Sequence, residues 1–169
     1  VNACASLFHA SAEAKDLKLI VEVDPYAQGS FDGDAPRIRQ ILTNLLGNAV
    51  KFTREGEVAL RLVRLPEHHY GFEVRDTGPG ITAEEQEKIF QPFQQGEAGM
   101  RQGGTGLGLT ISQRQLGLMG SALKVDSEVG KGSRFSFEVE LPPALGALRA
   151  ERQKTWGQVK RLAAGFSVK

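Results

Sequence analysis

Gly103-Gly104-Thr105-Gly106-Leu107-Gly108-Leu109 runs straight into a helical pattern of apolar residues. Backbone N–H groups therefore lie bare at a helix start, where unpaired amides and the helix dipole both favour negative charge. Glycines also let the backbone approach a polyphosphate closely. The same composition serves a plain flexible turn, so the stretch admits both readings until its surroundings are considered.

The surroundings are those of one folded domain. The chain has 169 residues, 40% of them hydrophobic and 24% charged, enough to bury a core and too few for two full domains. Cys4 is the only cysteine, which excludes an internal disulfide and a thiolate metal cluster. His9, His68 and His69 are too scattered to suggest a metal site. No apolar run reaches the roughly 18 residues of a membrane span, and no basic-then-apolar leader is present. A soluble, cytoplasmic chain is expected, without membrane insertion.

Charge is unevenly placed. Residues 144–169 hold six basic side chains (Arg149, Arg152, Lys154, Lys160, Arg161, Lys169) against Glu151. That tail carries +5 in a chain of net +1, which leaves −4 on residues 1–143. Pro142-Pro143 marks the boundary, because proline continues neither a ladder nor a helix. The tail reads as a solvated linker helix; a surface for nucleic acid or membrane is the weaker alternative, and no nucleic-acid partner is expected.

Alternation marks five half-buried strands: Leu17, Leu19, Val21 and Val23; Val58, Leu60 and Leu62; Tyr70, Phe72 and Val74; Leu123 and Val125; and Phe135, Phe137, Val139 and Leu141. Asp34 and Pro36 open a helix whose apolar stripe is Ile38, Ile41, Leu42, Leu45, Leu46 and Ala49. Thr82 and Glu85 have capping-box spacing before a short helix expected to end near Phe90. A third helix is expected from Leu107 to Met119, closed by Gly120. The order predicts an α/β two-layer sandwich, a mixed sheet backed by three helices on one face.

Asn44, Asn48 and Lys51 recur at i, i+4 and i+7, off the apolar stripe. Amide oxygens suit magnesium, which takes oxygen donors together with substrate phosphates, and a lysine meets phosphate as a point charge. A merely polar helix face is the alternative. Asp76 shares the inner face of its strand with Tyr70, Phe72 and Val74, and burial of a carboxylate demands donors. It fits an adenine amino group, or it caps the Thr77-Gly78-Pro79-Gly80 turn.

In order along the chain, these segments resemble the motifs of the sensor histidine kinases. Asn44-Leu45-Leu46-Gly47-Asn48-Ala49-Val50-Lys51-Phe52-Thr53 is similar to their N box, and Asp76-Thr77-Gly78-Pro79-Gly80-Ile81 to their first glycine box. Ile89-Phe90-Gln91-Pro92-Phe93 resembles the phenylalanine box, Gly104-Thr105-Gly106-Leu107-Gly108-Leu109 the second glycine box, and Gly130-Lys131-Gly132-Ser133 the short turn near the end. The resemblance spans residues 34–141 and implies the ATP-binding fold shared with gyrase, the Hsp90 chaperones and mismatch-repair ATPases.

It also implies roles. Asn48, with Asn44 as the lesser contributor, would hold Mg2+; Lys51 would contact phosphate and Phe52 would line the purine pocket. Asp76 would accept from the adenine amino group, with Gly78, Gly80 and Ile81 beside the base and Ser133 supporting Asp76 through water. Gly104, Thr105, Gly106, Leu107 and Gly108 would close over the triphosphate, and Arg101 would stabilise the transferring phosphoryl group. ATPase relatives carry a glutamate where Asn44 stands, and an asparagine is no general base at neutral pH. Phosphoryl transfer to a histidine outside this chain is therefore expected over hydrolysis.

His9 precedes Ala10-Ser11 rather than an acidic residue and reads as a structural or surface histidine. Residues 1–16 are expected to end an upstream dimerisation hairpin or linker, 17–143 to form the ATP-binding domain, and 144–169 to be a tail. Expected partners are the parent kinase's hairpin and a response regulator or receiver domain, with the fragment itself monomeric. Gln95-Gly96-Glu97-Ala98-Gly99-Met100 replaces the acidic-then-hydroxyl tract of many relatives, predicting a lid disordered without nucleotide. It also leaves open a second reading, a kinase-like docking module with little use for ATP.

Overall fold

A computed structural model describes residues 1–93 and 106–144; the 94–103 lid, Arg101, Gly104, Thr105 and the tail from residue 145 lie outside the described residues. Two short helices, α1 (Asn2–Ser6) and α2 (His9–Glu13), precede strand β1 (Lys18–Val23) and a 3-10 turn at Pro25–Ala27. Then come α3 (Ala35–Phe52), β2 (Glu57–Arg64), β3 (His69–Asp76), α4 (Ala83–Gln86), α5 (Gly108–Leu118), β4 (Lys124–Glu128) and β5 (Gly132–Glu140).

The strands form one mixed sheet in the order β1-β2-β3-β5-β4. β1 and β2 run parallel, whereas β2–β3, β3–β5 and β4–β5 are antiparallel. Period-two alternation aims Val58 and Leu60, then Tyr70, Phe72 and Val74, then Phe135, Phe137 and Val139 into one core. The Phe72 and Phe137 rings stack there at 5.0 Å.

α3 fills that core with Ile41, Leu42, Leu45, Leu46, Ala49 and Val50. Asp34 starts it by accepting from the Arg37 amide at 3.1 Å, and Pro36 sits in the first turn, where a missing N–H costs nothing. α4 carries the anticipated capping box between Thr82 and Glu85. Its regular part ends at Gln86, four residues before Phe90; the chain then continues as hydrogen-bonded turns that bury Ile89. α5 starts one residue later and ends one earlier than its apolar pattern suggested.

Residues 1–16 pack on the same body. Cys4, Ala5 and Ala12 are buried in the core, α1 lies against α3 and β1, and α2 against β1. His9 is exposed. At the other end, Pro142 accepts from Asp32 N, Phe31 bridges to Pro143, and Ala144 N donates to Ser30 O. No helix among the described residues is long and apolar enough to cross a membrane.

Candidate nucleotide site

α3 meets the start of α5 at Asn44 and the turn after β3 at Thr53, and β5 begins beside Asp76. Asp76 is the last residue of β3 and only 8% exposed. Oδ1 accepts from the Gly78 amide at 2.8 Å. Burial pushes this carboxyl above its ordinary value of 3.8, and the backbone amides of Gly78 and Ser133 offset part of that rise. Ser133, register partner of Asp76, thus meets it through its backbone. Its hydroxyl pairs with Ser127 Oγ at 2.9 Å.

The turn after Asp76 is held from three sides. Ile81 N donates to Ser127 Oγ at 2.9 Å, Thr77 Oγ1 accepts from Glu57 N at 2.9 Å, and Gly130 N donates to Pro79 O. Gly80 has φ +73°, and a Cβ there would overlap the Glu128 carbonyl and sit 2.9 Å from Val129 Cα. Only glycine fits that position. Gly78 has ordinary φ; a Cβ on it would stand 2.8 Å from Asp76 Oδ1 and 3.2 Å from Thr53 Oγ1.

Thr53 is a site residue that motif reading passed over. It is fully buried, and its hydroxyl has no hydrogen-bond partner among the described residues. A buried hydroxyl left unmade costs free energy, and this one stands in the wall behind Asp76 and Gly78.

On α3, Asn44 and Asn48 are both half-buried one turn apart. Asn44 Nδ2 donates to Ser112 Oγ at 2.9 Å, which locks the side chain against α5 and leaves its oxygen as acceptor. Asn48 has no side-chain partner among the described residues. Two hard oxygens on one face, neither claimed by a hydrogen bond among the described residues, fit a magnesium ion that completes its shell with phosphate oxygens and water. Lys51 Nζ lies 5.3 Å from the Phe52 ring centroid and forms no ion pair within the described residues.

The first turn of α5 lies against Asn44. No side chain caps its N-terminus. Gly106 has φ +67°, the conformation that turns the chain into the helix, with Leu107 at the N-cap. Gly108 has no positive φ; a Cβ there would overlap Asn44 Oδ1 and lie 3.0 Å from its Cγ and Nδ2. Uncapped helix amides therefore start next to the Asn44 oxygen, an arrangement suited to a polyphosphate with its metal.

The model of the histidine kinase-, DNA gyrase B- and HSP90-like ATPases matches residues 33–143. The chain belongs to this ATPase family. Within it, the chain is 43% identical over 142 residues to the sensor histidine kinase AruS of Pseudomonas aeruginosa, covering 80% of this chain and 14% of that protein. It is 40% identical over 157 residues to the sensor protein GacS of Pseudomonas syringae pv. syringae, covering 83% and 17%. The chain thus spans 14–17% of the length of these two relatives.

Among solved structures, full-length ShkA in complex with AMPPNP superposes with a TM-score of 0.75 at 36% identity, covering 85% of this chain and 29% of that one. The nucleotide-free catalytic domain of the histidine kinase ThkA gives 0.71 at 27%, covering 84% and 92%. The matched family is one of ATPases, and the ShkA structure holds the ATP analogue AMPPNP.

Proposed function

We propose that this chain is the catalytic ATP-binding portion of a sensor histidine kinase. It would hold Mg-ATP and present the γ-phosphoryl group to a histidine on a dimerisation hairpin outside residues 1–169. The observation that carries this reading is the role of Asn44. The position one turn before Asn48 holds an amide tied to Ser112, not a carboxylate free to activate water. A site so equipped positions and neutralises, and leaves the nucleophile to be supplied from outside.

In this reading, Asp76 selects adenine by accepting from its amino group, and Thr53 and Gly78 shape the same wall. Phe52 lines the base, Lys51 and the α5 amides hold phosphate oxygens, and Asn48 with Asn44 holds magnesium. The magnesium these asparagines would hold would supply neutralising charge to the phosphates. A hairpin histidine nitrogen forms the new N–P bond as the bond from the γ-phosphorus to its bridging oxygen breaks, and ADP leaves with that electron pair. Arg101, outside the described residues, would steady the group in flight. Residues 17–143 would be the domain, 144–169 a linker towards a receiver domain or regulator, and the parent protein a membrane-associated sensor with this part in the cytoplasm.

The test is phosphotransfer. Incubation with labelled Mg-ATP and a purified dimerisation hairpin should leave acid-labile, base-stable phosphate on the hairpin, with little free phosphate in its absence. Steady phosphate release without any hairpin would contradict the proposal.

A further inference from the structure

Lys15 lies between α2 and β1, outside every motif of the nucleotide site. Its ammonium donates to Val50 O at 2.7 Å, Lys51 O at 2.8 Å and Thr53 O at 3.3 Å. An ammonium has three donors, and all three are spent on the C-terminal end of α3. The last four carbonyls of a helix lack partners within it. Here Thr53 N takes Ala49 O, and Lys15 takes the next two while adding positive charge at the negative end of the helix dipole.

The reach of Lys15 is set locally. Leu17 N donates to Ala12 O and Asp16 N to Glu13 O, with Asp16 at φ +57°. This is the double bond of a Schellman turn, which ends α2 and aims Lys15 at α3. The backbone it grips carries Lys51, Phe52 and Thr53. Thr53 is gripped by its carbonyl on one side, while its hydroxyl stands beside Gly78 and Asp76 on the other.

We propose that Lys15 is a positioning residue of the nucleotide site, a clamp through which the segment preceding β1 sets the pose of Lys51, Phe52 and Thr53. The inference rests on the ATP-binding reading given above. It makes nucleotide affinity depend on the placement of residues 1–16, the part of the chain that any upstream element would move. Lys15 is itself exposed, so removing its charge leaves the apolar core intact.

The experiment is calorimetric titration of Mg-AMPPNP into the full 169-residue chain. Wild type, Lys15→Met, Lys15→Arg and Lys18→Met are compared at a temperature where circular dichroism shows all four folded. Lys18 is exposed, and its ammonium has no partner among the described residues. Loss of charge-assisted hydrogen bonds at the helix end should weaken binding of Lys15→Met about tenfold. Lys15→Arg should recover part of that loss and Lys18→Met should match wild type. A lowered Tm with unchanged affinity in Lys15→Met would overturn the positioning role and leave a helix cap only. Failure of folded wild type to bind would overturn the ATP reading and the clamp together, and a variant-only result separates the two.

Discussion

Gly108→Ala separates two jobs that glycine can do beside a phosphate. The residue has no positive φ, so alanine fits the backbone, and helix propensity favours alanine by up to about 1 kcal/mol. The added Cβ would overlap Asn44 Oδ1, the far end of a side chain that can swing away. Swinging breaks the 2.9 Å bond to Ser112, worth about 0.5–1.5 kcal/mol net, and leaves a buried hydroxyl without its partner. The opposing terms leave the fold destabilised by no more than about 2 kcal/mol. Binding has no such compensation, because Asn44 leaves the face it shares with Asn48. Affinity for Mg-AMPPNP should fall about tenfold, equivalent to about 1.4 kcal/mol, and affinity in EDTA should change less than about twofold. Paired titrations with and without magnesium, alongside thermal denaturation, measure both. Wild-type affinity in the presence of magnesium would refute the placement of Asn44 in the metal site. Equal losses with and without magnesium would show that the glycine serves the phosphates and not the metal.

Gly80→Ala has no such escape, since its Cβ meets backbone and its φ is +73°; thermal denaturation should show a loss of about 2–4 kcal/mol. Asp76→Asn should stabilise the fold at neutral pH. Burial raises the folded pKa above 3.8, so the native state holds its proton more tightly and loses stability as pH rises from 3.8 through the raised value. The Tm advantage of the variant should therefore vanish below pH 3.8 and grow above it; an advantage that shrinks as pH rises would invert the assignment. Thr53→Val removes an orphan buried hydroxyl at nearly constant volume, and should raise stability by about 1 kcal/mol in urea titrations while weakening nucleotide binding.

Elements with one buried face were legible because their periodicity is enforced by that face. Val58 and Leu60, Phe72 and Val74, and Phe135 and Phe137 alternate because their other faces look away from the core. Asp34 and the Thr82–Glu85 pair announced their helices through cap chemistry that is wholly local. The end of α4 was misjudged because apolar residues to Phe90 suit a chain of turns as well as a helix. Motif reading named Asn44 and Gly108, which the fold sets side by side, and Asp76 with the glycine turn that follows it. It did not distinguish Gly106, which needs its φ, from Gly108, which needs its missing side chain. Strand register adds the Ser133 amide as a partner of Asp76, a contact that no motif announces. Lys15 left no sequence signal, since its partners are backbone carbonyls 35–38 residues away.

The central claim is that Asp76 reads adenine at the floor of a working ATP site, and titration of Mg-AMPPNP into wild type and Asp76→Asn tests it most directly. A charge-assisted hydrogen bond of about 1.5–3 kcal/mol predicts binding by wild type and a loss of about 10- to 150-fold in the variant, with the fold intact. Equal affinity in the two proteins, or no binding by folded wild type, would contradict the account.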